Sequence, residues 1–258
     1  MTDSSPGRRL AVAAHFRTDV GCTREINEDS IAFFDADGSS ARSAGVVAVV
    51  ADGMGGHSAG EVASRIATDT VGSVYFDTDG DPRTALLRAF AEANRRIYDA
   101  AQASPDREGM GTTCTALALR DGRAWAVHVG DSRIYLLRGG ELYRMTEDDS
   151  VVGDMVRKGL ISSEEARHHA DKNVILRALG TRPEVETSAW EKPFQLRAGD
   201  RFVLSTDGLH DLVSDAELRD ALLGAEPAAA CAGLVELAKK HGGYDNITVG
   251  IVAIDGCD

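Results

Sequence analysis

The strongest constraint on this chain is where its aspartates fall relative to its apolar runs. Val46-Val47-Ala48-Val49-Val50-Ala51 leads into Asp52-Gly53-Met54-Gly55-Gly56-His57. Ala124-Trp125-Ala126-Val127-His128-Val129 leads into Gly130-Asp131-Ser132-Arg133, and Phe202-Val203-Leu204-Ser205-Thr206 leads into Asp207-Gly208. Asp245-Asn246 stands directly before Ile247-Thr248-Val249-Gly250-Ile251-Val252. Short runs that are apolar on both faces suit buried strands. Strand ends are rigid, and one sheet edge can gather carboxylates that lie far apart in sequence. Hard divalent cations want carboxylate oxygens held in that way. The pattern points to a fold in which several strand ends meet around a metal cluster.

The chain has 258 residues, 43% of them hydrophobic, which is enough for a full core. No Pro/Ser/Gly-rich linker divides it, so one domain over 8–256 is expected. The net charge of −13 argues against nucleic acid as a partner. It leaves room for a phosphorylated substrate, because bound metal supplies positive charge locally. Cys22, Cys114, Cys231 and Cys257 form no CxxC pair and no zinc spacing, and read as reduced thiols of a cytosolic protein. No apolar leader or run of membrane-spanning length is present. The expectation is a soluble, cytoplasmic protein with no membrane partner, in monomeric form.

Strands are expected over 11–16, 30–34, 46–51, 113–119, 124–129, 134–137, 141–145, 202–206 and 247–254. Helices are expected over 61–74, where Val62, Ile66, Thr70 and Val74 recur every four residues, and from Pro82 to about 103. Two more are expected over 215–223 and 227–240. Asp121-Gly122 and Gly139-Gly140 are hairpin turns, and 35–44 is a loop that includes Asp37-Gly38. The stretch 148–181 is polar and helix-prone, with Ser162-Ser163-Glu164-Glu165 as a helix start, and reads as an inserted helical flap. This pattern makes a layered α+β fold. Periodicity does not choose between an open sheet and two packed sheets.

Asp52, Asp207 and Asp245 could hold two divalent cations, with Asp52 bridging and the Gly53 carbonyl as a further ligand. Two ions about 3.5–4 Å apart generate a bridging hydroxide that can attack phosphorus in line. Arg24 is the natural phosphate clamp, because guanidinium matches phosphate oxygens in a bidentate way. Each motif has a plainer reading. A lone Asp-Gly is usually a turn, a lone Arg usually a surface charge, and His57 is either a general acid or a local hydrogen-bonding residue. The Gly-rich stretch after Asp52 lacks a Walker lysine and a dinucleotide fingerprint. The functional reading rests on the acidic motifs as a set.

That set has a family likeness. Arg24-Glu25-Ile26-Asn27-Glu28-Asp29, Ala51-Asp52-Gly53-Met54-Gly55-Gly56-His57, Gly111-Thr112-Thr113, Gly130-Asp131-Ser132-Arg133, Ser205-Thr206-Asp207-Gly208-Leu209 and Asp245-Asn246-Ile247-Thr248 fall in one order over about residues 10 to 254. Together they resemble the metal-dependent serine/threonine phosphatases known as PP2C or PPM, in their bacterial form. The resemblance implies a central β-sandwich of two antiparallel sheets flanked by helix pairs, with a small mobile flap over 148–181. It implies hydrolysis of phosphoserine and phosphothreonine by metal-activated water, without a phosphoenzyme. The cofactors implied are two Mn2+ or Mg2+ ions, with Asp52 bridging, the Gly53 carbonyl on one ion, and Asp207 and Asp245 completing the other. Glu28 and Asp29 match positions that hold metal-bound waters, Arg24 matches the phosphate-binding arginine, and Asp131 matches a ligand of a third, weaker metal. Phosphorylated proteins, a serine/threonine kinase among them, are the implied partners.

Two departures stand out. Met54 occupies the place where animal relatives carry a proposed acid histidine, and His57 lies three residues later. Asn173 stands where some bacterial relatives have a serine near the third metal. Two other readings compete: a metal-poor module that docks phosphoproteins, and a sigma-factor regulator acting on one phosphoserine protein. The complete set Arg24, Asp52, Asp207 and Asp245 argues against the first. The arginine motif and the lack of room for sensory domains argue against the second.

Overall fold

Successive side chains along a strand point to opposite faces, and here the two faces meet different cores. The computed structural model describes residues 10–35, 45–55 and 59–256. In chain order its strands are β1 (Leu10–Asp19), β2 (Asp29–Asp35), β3 (Val46–Met54), β4 (Gly111–Thr112), β5 (Cys114–Arg120), β6 (Arg123–Val129), β7 (Arg133–Arg138), β8 (Glu141–Arg144), β9 (Ser188–Ala189), β10 (Phe194–Gln195), β11 (Arg201–Ser205) and β12 (Ile247–Gly256). Its helices are α1 (Ala59–Phe76), α2 (Pro82–Gln102), α3 (Val151–Arg157), α4 (Ser163–Arg167), α5 (Asp207–His210), α6 (Asp215–Leu222) and α7 (Pro227–Lys240). One sheet runs β1-β12-β11-β7-β8. The other runs β10-β6-β5-β3-β2, with β4 on β3 and β9 on β6. Every strand pair is antiparallel.

Alternation sorts the core into three layers. In β3, Val47, Val49 and Ala51 pack with Ala63, Val71, Leu86 and Phe90 of α1 and α2, whereas Ala48 and Val50 join the core between the sheets. In β12, Val249 and Ile251 pack with Leu234 and Val235 of α7, whereas Val252 and Ile254 meet Phe202 and Leu204 between the sheets. Strands covered on both faces must be apolar on both faces, which explains the continuous runs. The structure therefore decides the point that periodicity left open: two antiparallel sheets pack as a sandwich, with helices on each outer face.

Element boundaries differ from expectation where tertiary pairing overrides local pattern. β1 extends to Asp19 because it pairs with β12 along its whole length, from Leu10 opposite Gly256 to Asp19 opposite Ile247. The two-residue strands β4, β9 and β10 and the short helix α5 have no expected counterpart in the sequence. Asp121 and Gly122 both take positive φ, 51° and 69°, as a two-residue hairpin turn demands. Within 148–181, Ser150 caps α3 and a Ser162–Glu165 capping box starts α4, while turns fill most of the remainder. Bridges Ser150–Ile175 and Thr112–Leu179 tie this stretch to its surroundings. The expected loop beyond Asp35 with its Asp37-Gly38 turn, the start of the domain at residue 8, His57 and Cys257 lie outside the described residues. Among the described residues no helix is long and apolar enough to cross a membrane.

Candidate metal centre

Strand ends and the connections beside them deliver acidic side chains to one end of the sandwich. Asp52 lies near the end of β3, directly opposite Asp29, which opens β2. Asp131 lies between β6 and β7, where the chain crosses from one sheet to the other. Asp207 opens α5 just after β11, and Asp245 stands just before β12. Arg24, Glu28, Asp52, Gly53, Asp131, Asp207 and Asp245 line a common cavity of about 280 Å3, with Met54, Thr113, Asn173 and Asn246 also in its wall. Of the expected site residues that are described, only Asp29 is not in that wall. It is buried, and Thr206 Oγ1 donates to its Oδ2 at 2.8 Å.

A scaffold of buried hydroxyls and amides fixes these backbones. Thr113 Oγ1 accepts from the Asp52 amide at 2.9 Å and shares a 2.7 Å hydrogen bond with Ser132 Oγ, beside Asp131. Thr112 Oγ1 donates to the Asp52 carbonyl at 2.8 Å. Asn246 accepts from the Glu28 amide and donates to the carbonyls of Val20 and Ile26, which anchors the segment carrying Arg24 and Glu28. The Gly53 amide donates to the Glu28 carbonyl at 3.1 Å. A Cβ on Gly53 would lie 2.6 Å from that carbonyl oxygen and collide with the Gly60 carbonyl, so α1 approaches β3 this closely only because residue 53 has no side chain.

The carboxyls repel one another. Burial first, then the charges of Asp29, Asp207 and Asp131, raise Asp52 well above the usual carboxylate range. Burial, then Asp207 and Asp148, does the same to Asp131. Asp29 is raised by burial and by Asp207 and Asp245, against hydrogen bonds from Thr248 and Thr206 that act to lower it. Asp207 is raised to about 6 by burial and by Asp211 and Asp245. Burial also raises Glu28. Three buried carboxylate oxygens, Glu28 Oε1, Asp29 Oδ1 and Asp207 Oδ1, have no hydrogen-bond partner among the described residues. Crowded carboxyls with unpaired oxygens need protons or cations, and hydrated Mn2+ or Mg2+ fits this all-oxygen donor set. Among the described residues no three His, Cys, Asp or Glu side chains form a ready-made cage. Mg2+ keeps several waters and takes few protein ligands, which suits a donor set of this kind.

Asp245 stands apart in one respect. Its Oδ2 accepts from Arg24 Nη2 at 2.8 Å, so the expected phosphate clamp and an expected metal ligand are paired with each other. The side chains are 49% and 34% exposed, and an ion pair that open to solvent is worth about 0–1 kcal/mol. It can open at little cost to free both groups. Thr113, Ser132, Thr206 and Asn246 are the supporting residues that site reasoning from sequence passed over. Their signal was present, since each belongs to or adjoins a motif at a strand end, but their partners are mostly backbone atoms.

The protein phosphatase 2C family model matches residues 23–232, which includes every expected site residue except Asp245. The serine/threonine protein phosphatase PstP of Mycobacterium tuberculosis is 43% identical over 234 residues, 90% of this chain; the chain spans 43% of that relative's length. The serine/threonine phosphatase stp of Listeria welshimeri is 37% identical over 245 residues, covering 93% of this chain and 94% of its own. A crystal structure of the catalytic domain of PstP in complex with two manganese ions superposes with a TM-score of 0.81 at 39% identity, covering 96% of this chain and 100% of that one.

Proposed function

The chain belongs to the protein phosphatase 2C family, and on that premise we propose that it is a metal-dependent protein serine/threonine phosphatase. One observation carries the reading: carboxylates from both sheets converge on a single cavity that also holds an arginine. Asp52, the Gly53 carbonyl, Asp207 and Asp245 are the proposed ligands of two core Mn2+ or Mg2+ ions, and Asp131 that of a third. When bound, such ions supply an activated water and neutralise phosphoryl charge.

The chain's own groups do the remainder. Arg24, released from Asp245, binds phosphate oxygens through two parallel N–H donors and orients the phosphoryl group. Glu28 and Asp29 hold water through their unpaired oxygens and thereby fix the position of the first ligand shell. The Thr113–Ser132 and Thr206–Asp29 hydrogen bonds keep Asp52 and Asp207 at a fixed separation. The proposal extends to phosphorylated proteins as substrates, a serine/threonine kinase among them, and to a monomer acting in the cytoplasm. The free thiols Cys22, Cys114 and Cys231 suit that reducing compartment.

Protein stripped with chelator and given back Mn2+ or Mg2+ should recover turnover of a phosphothreonine peptide and of an aryl phosphate. Full turnover in excess EDTA with no bound metal would overturn the reading. Metal binding without any turnover would favour a phosphoprotein-docking module instead.

A further inference from the structure

Asp149, shortly before α3, is 2% exposed and uses its backbone and its carboxylate in two directions. One direction is the metal centre. Its amide donates to the Gly130 carbonyl at 2.9 Å, and its Oδ2 accepts from the Gly130 amide at 3.2 Å. Gly130 directly precedes Asp131. On the far side of Asp131, Arg133 donates to both oxygens of Asp148, at 3.0 and 2.7 Å. Two consecutive aspartates thus grip the connection between β6 and β7 on either side of the proposed ligand. Gly130, at φ 95°, has no room for a Cβ, which would lie 2.6 Å from Thr113 Cγ2. The grip therefore seats the connection against the same threonine that accepts from the Asp52 amide.

The other direction is the flap. The Asp149 carbonyl accepts from the Leu176 amide at 2.7 Å, and the Val151 amide donates to the Val174 carbonyl at 2.9 Å. Asp149 Oδ1 accepts from Arg177 Nη2, which also donates to Ser188 Oγ of β9 at 3.2 Å. Among the described residues Arg177 is the one cation paired with Asp149. Asn173 and Ile175 of the same stretch line the metal cavity. A phosphopeptide with its phosphate at the metals therefore meets a segment whose next two residues are bonded to Asp149.

We propose that Asp149 is a positioning residue: it holds Asp131 through Gly130, holds the flap through Leu176 and Arg177, and so couples third-ion binding to substrate binding. The proposal rests on the phosphatase reading above and on its assignment of Asp131 to a third ion. Groups that fix the orientation of a metal ligand raise its affinity without touching the metal. The buried Asp149 carboxylate divides its two oxygens between the Gly130 amide and Arg177. Displacing the flap strips a buried charge of its counterion, and the carboxylate must then shift, which loosens Gly130. A peptide that orders the flap orders Gly130 by the same route. Two ligands that bias one element each change the other's affinity by the same factor.

The test is calorimetric titration of the metal-stripped protein with Mn2+, with and without a non-hydrolysable phosphonate analogue of a phosphothreonine peptide. The wild type should bind two ions and a weaker third, and the peptide should tighten the third. Asp149→Asn and Arg177→Gln should each weaken the third ion by about tenfold, the low end for losing a partner that orients a metal ligand. The two core ions should change little, and the peptide should no longer tighten the third. Arg177→Lys keeps a counter-charge and should restore most of both effects. A merely structural role would lower stability in urea and weaken all three ions alike. That result, an unchanged third ion, or unfolding of both variants overturns the proposal. So does a wild type that binds two ions and no third, or whose third ion ignores the peptide. Those outcomes leave the phosphatase reading standing if the Mn2+-loaded wild type still turns over a phosphothreonine peptide. Absence of that turnover would refute the phosphatase reading itself.

Discussion

Asn246→Ala should destabilise the protein and disable phosphate binding together, because one side chain links both. Asn246 is 4% exposed and makes three hydrogen bonds to backbone far away in sequence. Its Oδ1 accepts from the Glu28 amide at 2.8 Å, and its Nδ2 donates to Val20 O at 3.1 Å and Ile26 O at 3.0 Å. Alanine strands all three partners. An orphaned buried group costs about 1–3 kcal/mol, and the segment is exposed enough for water to help, so the low end applies. The expected loss is about 3 kcal/mol by urea unfolding, or about 6–12 °C in Tm for a chain of this size.

The kinetic consequence follows from what the segment carries. Arg24 and Glu28 lie on it, whereas Asp52 lies on β3 and Asp207 opens α5. Phosphopeptide kcat/KM should therefore fall by about ten- to hundredfold, the worth of a charge-assisted pair to phosphate, with a smaller loss of metal affinity through Glu28 and the neighbouring Asp245. A double-mutant cycle gives the sharper test. Arg24→Ala should cost that factor in the wild type and much less when Asn246 is already Ala, because the clamp is then unanchored. Additive effects of the two substitutions, or a stability change below about 0.5 kcal/mol, the scale of an ordinary surface substitution, would refute the linkage.

Asp207→Asn should abolish turnover while the metal-free protein keeps or gains stability in urea, since one member of a mutually repelling cluster is neutralised; a stability loss comparable to a core deletion would place Asp207 in the fold and not the site. The stabilisation by Mn2+ should grow between pH 5 and 7.5. Asp207 keeps its proton to about 6 in the folded metal-free state, against about 3.9 when unfolded, so its contribution is present at low pH and lost as pH rises through 6. His210, with its lowered pKa, acts in the opposite sense below its unfolded value near 6.5. Taking the difference between metal-loaded and metal-free unfolding cancels it, and a metal gain independent of pH would contradict the assignment. Asp131→Ala should leave two ions measurable by titration yet slow phosphopeptides more than aryl phosphates, whose leaving group needs no proton; loss of the core ions would make Asp131 an ordinary core ligand.

The aspartates were legible in the sequence because the sandwich covers its strands on both faces. A strand such as β3, buried from Val47 to Ala51, has nowhere to place a carboxylate except at its end, so Asp52 announces the site. The residues that hold the site together leave a fainter trace. Asn246 acts on backbone atoms 218, 226 and 220 positions away, and backbone partners put no pattern into a sequence. Asp148 reads as the polar start of a flap, yet it is the buried counterion of Arg133 and Arg144. The strands β9 and β10 exist because the β6 edge accepts them, and two residues are too few to show a period. The same logic ties the metal centre to the fold. Asp29 and Asp52 belong to one sheet and Asp207 and Asp245 flank strands of the other, while Asp131 rides the crossing between them. The Thr206–Asp29 hydrogen bond joins the two sheets at that end. Neither sheet alone contains the site, so any change that shifts one sheet against the other alters the carboxylate spacing first. That makes metal affinity a more sensitive reporter of sandwich packing than global stability.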